Sequence, residues 1–479
     1  MATFSIENFG CRATDADAAA LRRDMLEHGL ALVDEHASAD VVVLNTCTVT
    51  AAADSQAREA VRKIHRANPG ARIVVTGCYA QRAPEELAAI DGVDFVIGNS
   101  HQTDIAGLIR ATLDSQVSAE WVTRPEGAAA GFLPLARIDR DAMSLARGPA
   151  KILTGDIFAQ TAVQISSASL AEGGRTRPIL KIQDGCNNRC SYCVIPFVRG
   201  RSRSLPPDVV IAEVRKLVDA GAKEVVLSGI NLGSYGRDLT PRTELLETAR
   251  RILSETRLEQ LRFSSIEPQD VTGEFIGLVA SSDRIAAHFH VPLQSGSDRI
   301  LRAMHRWYRA EHYAERVRLI RRHSPDAAIG ADVITGFPSE TDDEFQATFE
   351  FIERLPLTYL HVFSFSARPG TEAAKLTAEC RQIAPGVIRE RARHLRALGR
   401  RKSDAFRSTQ AGRTLRALTL ARTGDNWTEA LTGNYLKVRI AGHMPPNQWC
   451  EALIAPGASA AIFEDHFGQR EVAAVRDRE

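Results

Sequence analysis

The chain has no apolar run of membrane-spanning length. Its first residues, Met1-Ala2-Thr3-Phe4-Ser5-Ile6-Glu7, also lack the basic-then-apolar order of a secretion signal. The expectation is a cytoplasmic protein without a membrane partner. An excess of charge of either sign is missing as well, since the net charge is +1. Only local charge can therefore speak about partners. No His lies between His101 and His288, and the only cysteines in that interval are three within eight residues. A closed zinc site there has no local fourth ligand. Eight cysteines without a secretion signal fit metal ligands or buried thiols better than disulfides. What remains is ordinary: 44% hydrophobic and 25% charged residues, in a 479-residue chain long enough for about three domains.

The three clustered cysteines form Cys186-Asn187-Asn188-Arg189-Cys190-Ser191-Tyr192-Cys193. Thiolates suit iron–sulfur clusters and zinc, and one short loop can turn three sulfurs toward one point. Three ligands leave one iron of a four-iron cluster open to a cofactor or substrate. A zinc knuckle is the alternative and needs a fourth ligand. Cys380 and Cys450 stand alone and read as structural thiols.

From residue 1 to about 115, β-rich runs (Thr3 to Asn8, Val41 to Asn45, Arg72 to Thr76) alternate with helical stretches from about Asp15 and Ala51, which predicts a parallel α/β sheet. Cys11, Cys47 and Cys78 each follow one of these strands by two or three residues. The carboxyl ends of strands form the ligand crevice of such sheets, so the three thiols are expected to meet there. Residues 121–175, rich in Ala, Gly, Ser and Thr, read as a linker or insertion. From 176 to 408 the β/α rhythm returns with six strands, Ile179 to Gln183, Glu224 to Ser228, Gln260 to Ser264, Ala287 to Val291, Ala328 to Ile334 and Tyr359 to Phe363. This predicts a partial (β/α)6 barrel whose cysteine loop follows the first strand, at the rim where barrel enzymes do chemistry. Gly386 to Arg422 carries eleven Lys or Arg against Glu390 and Asp404. It leads into β-like segments (Thr414 to Ala421, Tyr435 to Ile440, Glu451 to Ile454, Ser459 to Phe463), so 409–479 is expected to be a small β-barrel of nucleic-acid-binding type. Arg199, Arg201 and Arg203 read as phosphate contacts.

With these motifs in place, the chain resembles the radical S-adenosylmethionine (SAM) methylthiotransferases, whose order is a three-cysteine N-terminal domain (here 1–120), a radical SAM barrel and a C-terminal TRAM domain. Gly10-Cys11-Arg12, the run Arg199 to Ser204, Gly229-Ile230-Asn231-Leu232-Gly233-Ser234-Tyr235-Gly236 and Ser264 to Pro268 look most like the branch acting on N6-threonylcarbamoyladenosine in tRNA. Thr14 and Asp17 stand where that branch usually has Asn and Glu, and Ser339 where it usually has Gly.

The resemblance implies two [4Fe–4S] clusters. One on Cys186, Cys190 and Cys193 would bind SAM and cleave it to a deoxyadenosyl radical; the other, on Cys11, Cys47 and Cys78, would carry the sulfur that is methylated and inserted. Tyr192, Gly229, Ile230, Glu267 and Gln294 are the candidates for the SAM pocket. The implied partners are tRNA and an unidentified electron donor, and the protein is expected to be a monomer. Isopentenyladenosine in tRNA and an aspartate of a ribosomal protein remain as alternative substrates. An RNA-binding protein with structural metal sites is the alternative of another class.

Overall fold

The computed structural model describes residues 1–113, 150–165, 176–379, 382–455 and 461–463. Cys380 and most of 121–175 lie outside them. The chain divides into two compact units, Met1–Gln160 with Phe197–Gly200, and Thr161–Pro196 with Arg201–Glu479.

In the first unit the strands are β1 (Thr3–Asn8), β2 (Ala31–Leu32), β3 (Val41–Thr46), β4 (Arg72–Gly77), β5 (Val93–Gly98) and β6 (Lys151–Leu153). They form one sheet in the order β2-β1-β3-β4-β5-β6, and every pair is parallel. Parallel strands covered on both faces read as continuous apolar runs, and all six residues of β3 are buried. Val41 and Val43 pack with Leu21, Met25 and Ile109 on one face, while Val42 and Leu44 pack with Val61, Ile64 and Tyr79 on the other. The first helix spans Arg12–Glu27 and begins earlier than Asp15 because Cys11 occupies its N-cap position. The next, Ala51–Ala67, is capped by Thr50, whose hydroxyl accepts from the Ala53 N–H at 3.2 Å.

Part of the segment read as a linker departs from that reading. β6 extends the sheet beside β5, and a short 3-10 turn follows at Ile157–Ala159. A three-residue edge strand is too short to leave a periodic signal.

The second unit contains β7 (Ile179–Asp184), β8 (Arg203–Ser204), β9 (Glu224–Gly229), β10 (Gln260–Phe263), β11 (His288–His290), β12 (Ala328–Thr335) and β13 (Tyr359–Ser364). β7, β9 and β10 are parallel neighbours, as are β11, β12 and β13. Parallel bridges Leu261 to Ile285 and Ser265 to His290 connect the two groups. The six strands thus stand side by side in chain order, with β8 antiparallel at the edge of β7. Ile329, Ala331 and Val333 of β12 join the core shared with the surrounding helices, so Asp332, between Ala331 and Val333, points into the barrel lumen.

The helix Pro385–Gln410 closes this core with Leu395 and Leu398. It leads into an antiparallel sheet of β14 (Thr414–Gly424), β15 (Trp427–Thr432), β16 (Lys437–Ala441), β17 (Trp449–Ile454) and β18 (Ala461–Phe463), in the order β16-β15-β14-β17-β18. β16 and β18 make contact, which curls the sheet on itself. β15 was not anticipated, because Glu429 and Ala430, both poor strand formers, interrupt its Trp, Thr and Leu. The strand expected from Tyr435 begins at Lys437, since Tyr435 has a φ of 67° and serves the turn. Arg262 of β10, fully buried and paired with Glu224, donates to the Thr432 and Gly433 carbonyls and so ties this sheet to the barrel.

Candidate functional site

In the first unit, Cys11 follows β1, while Cys47 and Cys78 come directly after β3 and β4. A polar network fixes the first loop against the second. The Asn45 amide donates to Asn8 Oδ1 (2.9 Å) and to the Thr14 carbonyl (2.8 Å), and Thr14 Oγ1 donates to the Cys11 carbonyl (2.7 Å). A side chain at Gly10 would stand 2.6 Å from Cys47 Cβ, so only glycine lets the two loops approach this closely. Gly77, at φ 97°, turns the chain into Cys78 in a space where a Cβ would overlap the Thr46 carbonyl at 2.3 Å.

Cys47 and Cys78 are buried and Cys11 is exposed. Burial, then repulsion from Cys78 and Cys11, pushes the Cys47 thiol up to about 12. Burial likewise raises Cys78, while the Arg199 guanidinium and the Asn99 amide pull it down. Arg199 is buried and donates to Asp17 Oδ2 at 2.6 Å. It therefore serves as a permanent cation for the thiols, and the reading of Arg199 as a phosphate contact is corrected. Arg203 is corrected too. It is buried, donates to the Ala162 and Arg201 carbonyls and lies 3.7 Å from Asp184; Arg201 is the exposed one of the three.

In the second unit, Cys186, Cys190 and Cys193 lie on the loop after β7, at the carboxyl rim of the barrel. Both sides of the loop are anchored. Gln183 Nε2 donates to the Asp184 and Gly185 carbonyls, Ser191 donates through N–H and Oγ to the Met304 and Ala303 carbonyls, and Ala373 N–H donates to the Ser191 carbonyl. Donors reach the sulfurs: the Asn188 N–H is 3.4 Å from Cys186 Sγ, Asn231 Nδ2 is 3.9 Å from it, and Arg306 Nη1 is 3.3 Å from Cys190 Sγ. Burial raises the Cys186 thiol to about 11 and the Cys193 thiol to about 12. Burial thus favours the protonated form of these two thiols, and a bound metal would have to displace those protons.

The pocket candidates occupy varied places on this rim. Glu267 accepts from the buried Arg306, so that Arg306 joins the carboxylate to the cysteine loop; burial keeps the Glu267 carboxyl raised despite this partner. Tyr192, half-buried, packs on Ile300, Met304 and Phe337. Gly229 ends β9 against Gln183, whose Oε1 accepts from the Asn231 N–H at 2.8 Å, and Ile230 is the turn residue between. Gln294, at φ 68°, knits the chain after β11 to β12 through the Asp332 carbonyl and the Ile334 N–H. Sequence reasoning missed Arg306, which no motif marks, and placed Asn231 only within its rim segment. Cys450 is a buried thiol donating to the Ala417 carbonyl at 3.3 Å.

Both thiol sets fit a polynuclear cluster. A single zinc at bonds of about 2.3 Å holds its sulfurs about 3.8 Å apart. Among the described residues the group of ligating side chains with all its donor atoms within 4.8 Å is His290, Asp332 and His361, and it includes neither set of thiols. Wider spacing, three thiols per set and a buried arginine beside each suit an anionic iron–sulfur cluster.

Residues 3–98 match the Uncharacterized protein family UPF0004, and residues 180–352 match the Radical SAM superfamily. The fold is shared with the radical S-adenosylmethionine methyltransferase TsrM from Kitasatospora setae, at TM-score 0.54 and 18% identity over 79% of this chain and 75% of that one. Barrel, loop and superfamily match define a radical SAM enzyme. The chain is 35% identical to the threonylcarbamoyladenosine tRNA methylthiotransferase MtaB of Aquifex aeolicus (strain VF5), over 94% of this chain and 99% of that protein. It is 30% identical to the tRNA-2-methylthio-N(6)-dimethylallyladenosine synthase of Desulforamulus reducens, over 92% and 91%. The protein belongs to the radical SAM methylthiotransferases, in the threonylcarbamoyladenosine branch.

Proposed function

We propose that this enzyme adds a methylthio group to C2 of N6-threonylcarbamoyladenosine next to the anticodon of tRNA. The observation that carries the reading is the pair of three-cysteine sets, each at the carboxyl ends of parallel strands and each beside a buried arginine, in a chain of this family. Isopentenyladenosine ranks behind because the Desulforamulus reducens synthase matches at 30% identity, against 35% for the Aquifex aeolicus MtaB. A ribosomal-protein aspartate and a purely structural metal role have no observation in their favour.

Cys186, Cys190 and Cys193 would hold one [4Fe–4S] cluster with SAM, and Cys11, Cys47 and Cys78 the other. When bound, these groups supply one-electron cleavage of SAM, hydrogen abstraction and the sulfur to be transferred. The chain's own residues orient and shield. Asn188, Asn231 and Arg306 direct N–H groups at the sulfurs, which stabilises negative charge there. Glu267 offers a carboxylate to a cofactor hydroxyl or ammonium, while Tyr192, Gly229, Ile230 and Gln294 form walls that keep water from a reactive carbon centre.

For tRNA the support is a stripe on the helix Pro385–Gln410. Arg389, Arg393, Arg396 and Arg400 recur at helical spacing and are all exposed. Trp307, 78% exposed and next to Arg306, can stack on an unpaired base. The C-terminal curled sheet acts as the TRAM-like appendage. The enzyme works as a monomer in the cytoplasm and takes electrons from a separate donor.

Iron and sulfide analysis after anaerobic reconstitution tests the reading. About eight irons per chain are expected, falling to about four in a triple Ala variant at Cys186, Cys190 and Cys193. Parent protein holding about four irons, or zinc, would remove the second cluster and the methylthiolation with it. Assays with tRNA carrying either modified adenosine then decide the substrate.

A further inference from the structure

His290 of β11, Asp332 of β12 and His361 of β13 converge inside the barrel, and neither cysteine set uses them. Their ligating atoms lie within 4.8 Å of one another. His290 Nε2 is 3.1 Å from Asp332 Oδ1, and His361 Nδ1 is 3.2 Å from the same oxygen. Donors bound at about 2.1 Å to one metal stand about 3.0 Å apart at right angles and about 3.4 Å apart at tetrahedral angles, and both separations fall between.

Two further features favour a shared ligand over a simple hydrogen-bonded set. His290 is 5% exposed, and its Nε2 makes no hydrogen bond although Asp332 is near, so this nitrogen is not aligned on the carboxylate. Its other nitrogen is held by Ser265 Oγ at 2.7 Å, the kind of outer contact that fixes the orientation of a metal-binding imidazole. Tyr359 stacks on His290 at 6.0 Å and steadies the ring.

We propose that His290 Nε2, Asp332 Oδ1 and His361 Nδ1 bind a divalent first-row metal ion such as Mn(II), Fe(II) or Zn(II). Two imidazoles and one carboxylate are a donor set for these ions. The site is separate from the thiol sites, which take iron with sulfide. Three protein ligands leave positions for water or for an oxygen of a molecule in the lumen. The proposal is independent of the choice of tRNA substrate.

Mn(II) is the probe, because it has little affinity for thiols. It is titrated into the full-length, cluster-loaded protein and free manganese is followed by electron paramagnetic resonance. One saturable Mn(II) per chain is expected, with nitrogen couplings from two imidazoles in the pulsed spectrum of the parent. His361→Ala removes a half-exposed side chain and should weaken binding about tenfold or more, with Asp332→Asn doing the same and iron content unchanged. No saturable site in the parent, absence of nitrogen coupling, or equal affinity in a folded variant overturns the proposal. The pulsed spectrum needs no variant, so a variant that fails to fold leaves the outcome decidable.

Discussion

The two three-cysteine sets reach similar surroundings by opposite routes. In the barrel, one loop supplies all three thiols, and the fold contributes Arg306 from 116 residues away, itself paired with Glu267. In the first unit, three separate loops each supply one thiol, and Arg199, paired with Asp17, is the cation. Each site thus sets a buried arginine between thiols and a carboxylate. Desolvation makes the thiolates of Cys47, Cys78, Cys186 and Cys193 costly, and a buried cation that cannot lose its proton offsets that cost. The difference lies in robustness: the loop keeps its ligands together by chain connectivity, whereas the dispersed set depends on sheet register and on the close approach at Gly10.

The comparison is broken most decisively at the cysteines. Cys190→Ala is expected to abolish both deoxyadenosine formation and methylthiolation, whereas Cys11→Ala abolishes only methylthiolation, both followed by mass spectrometry of the products. Loss of both activities in Cys11→Ala would end the division of labour between the sets.

The arginines come next. Arg306→Ala leaves Glu267 without its cation and should cost about 3 to 5 kcal/mol of stability in denaturant melts, with iron lost from the barrel set. Arg199→Ala should cost a similar amount, about 3 kcal/mol, and deplete the other cluster while leaving tRNA affinity intact. A large fall in tRNA affinity with full iron content would restore Arg199 as a phosphate contact.

Smaller effects are expected on the substrate side. Trp307→Ala should raise KM for tRNA about tenfold, as loss of one base stack worth about 1 to 3 kcal/mol implies, without changing SAM cleavage in the absence of tRNA. Replacing Arg396 and Arg400 by Glu should weaken tRNA binding and lower its log–log salt slope by about one to two. The smallest change is Ser339→Gly. Ser339 has a φ of 67°, where glycine is at ease, and its oxygens accept from Arg299, so the substitution should stabilise by less than about 1 kcal/mol in a thermal melt.

Legibility in the sequence followed the length scale of each feature. The barrel strands were readable because most are short β-rich runs between helices, and observed ends differ from the expected ones by a residue at most sites. β6 and β15 were not, one being three residues long and the other interrupted at its centre by Glu429 and Ala430. The eleven basic residues from Gly386 to Arg422 were visible as charge, but not their fates: Arg391 is buried against Glu340, Lys402 donates to the Glu353 and Leu355 carbonyls, and Arg413 pairs with Asp326.

The sequence by itself determined the order of the elements and the family and singled out the candidate ligands, because spacing within a loop and apolar periodicity along a strand are local properties. Only the tertiary structure decided which arginine meets which sulfur, that Arg199 and Arg203 face inward, and that His290, Asp332 and His361 share one point in the lumen. Those meetings depend on register between strands distant in the chain, and a single residue of shift would turn each side chain to the opposite face.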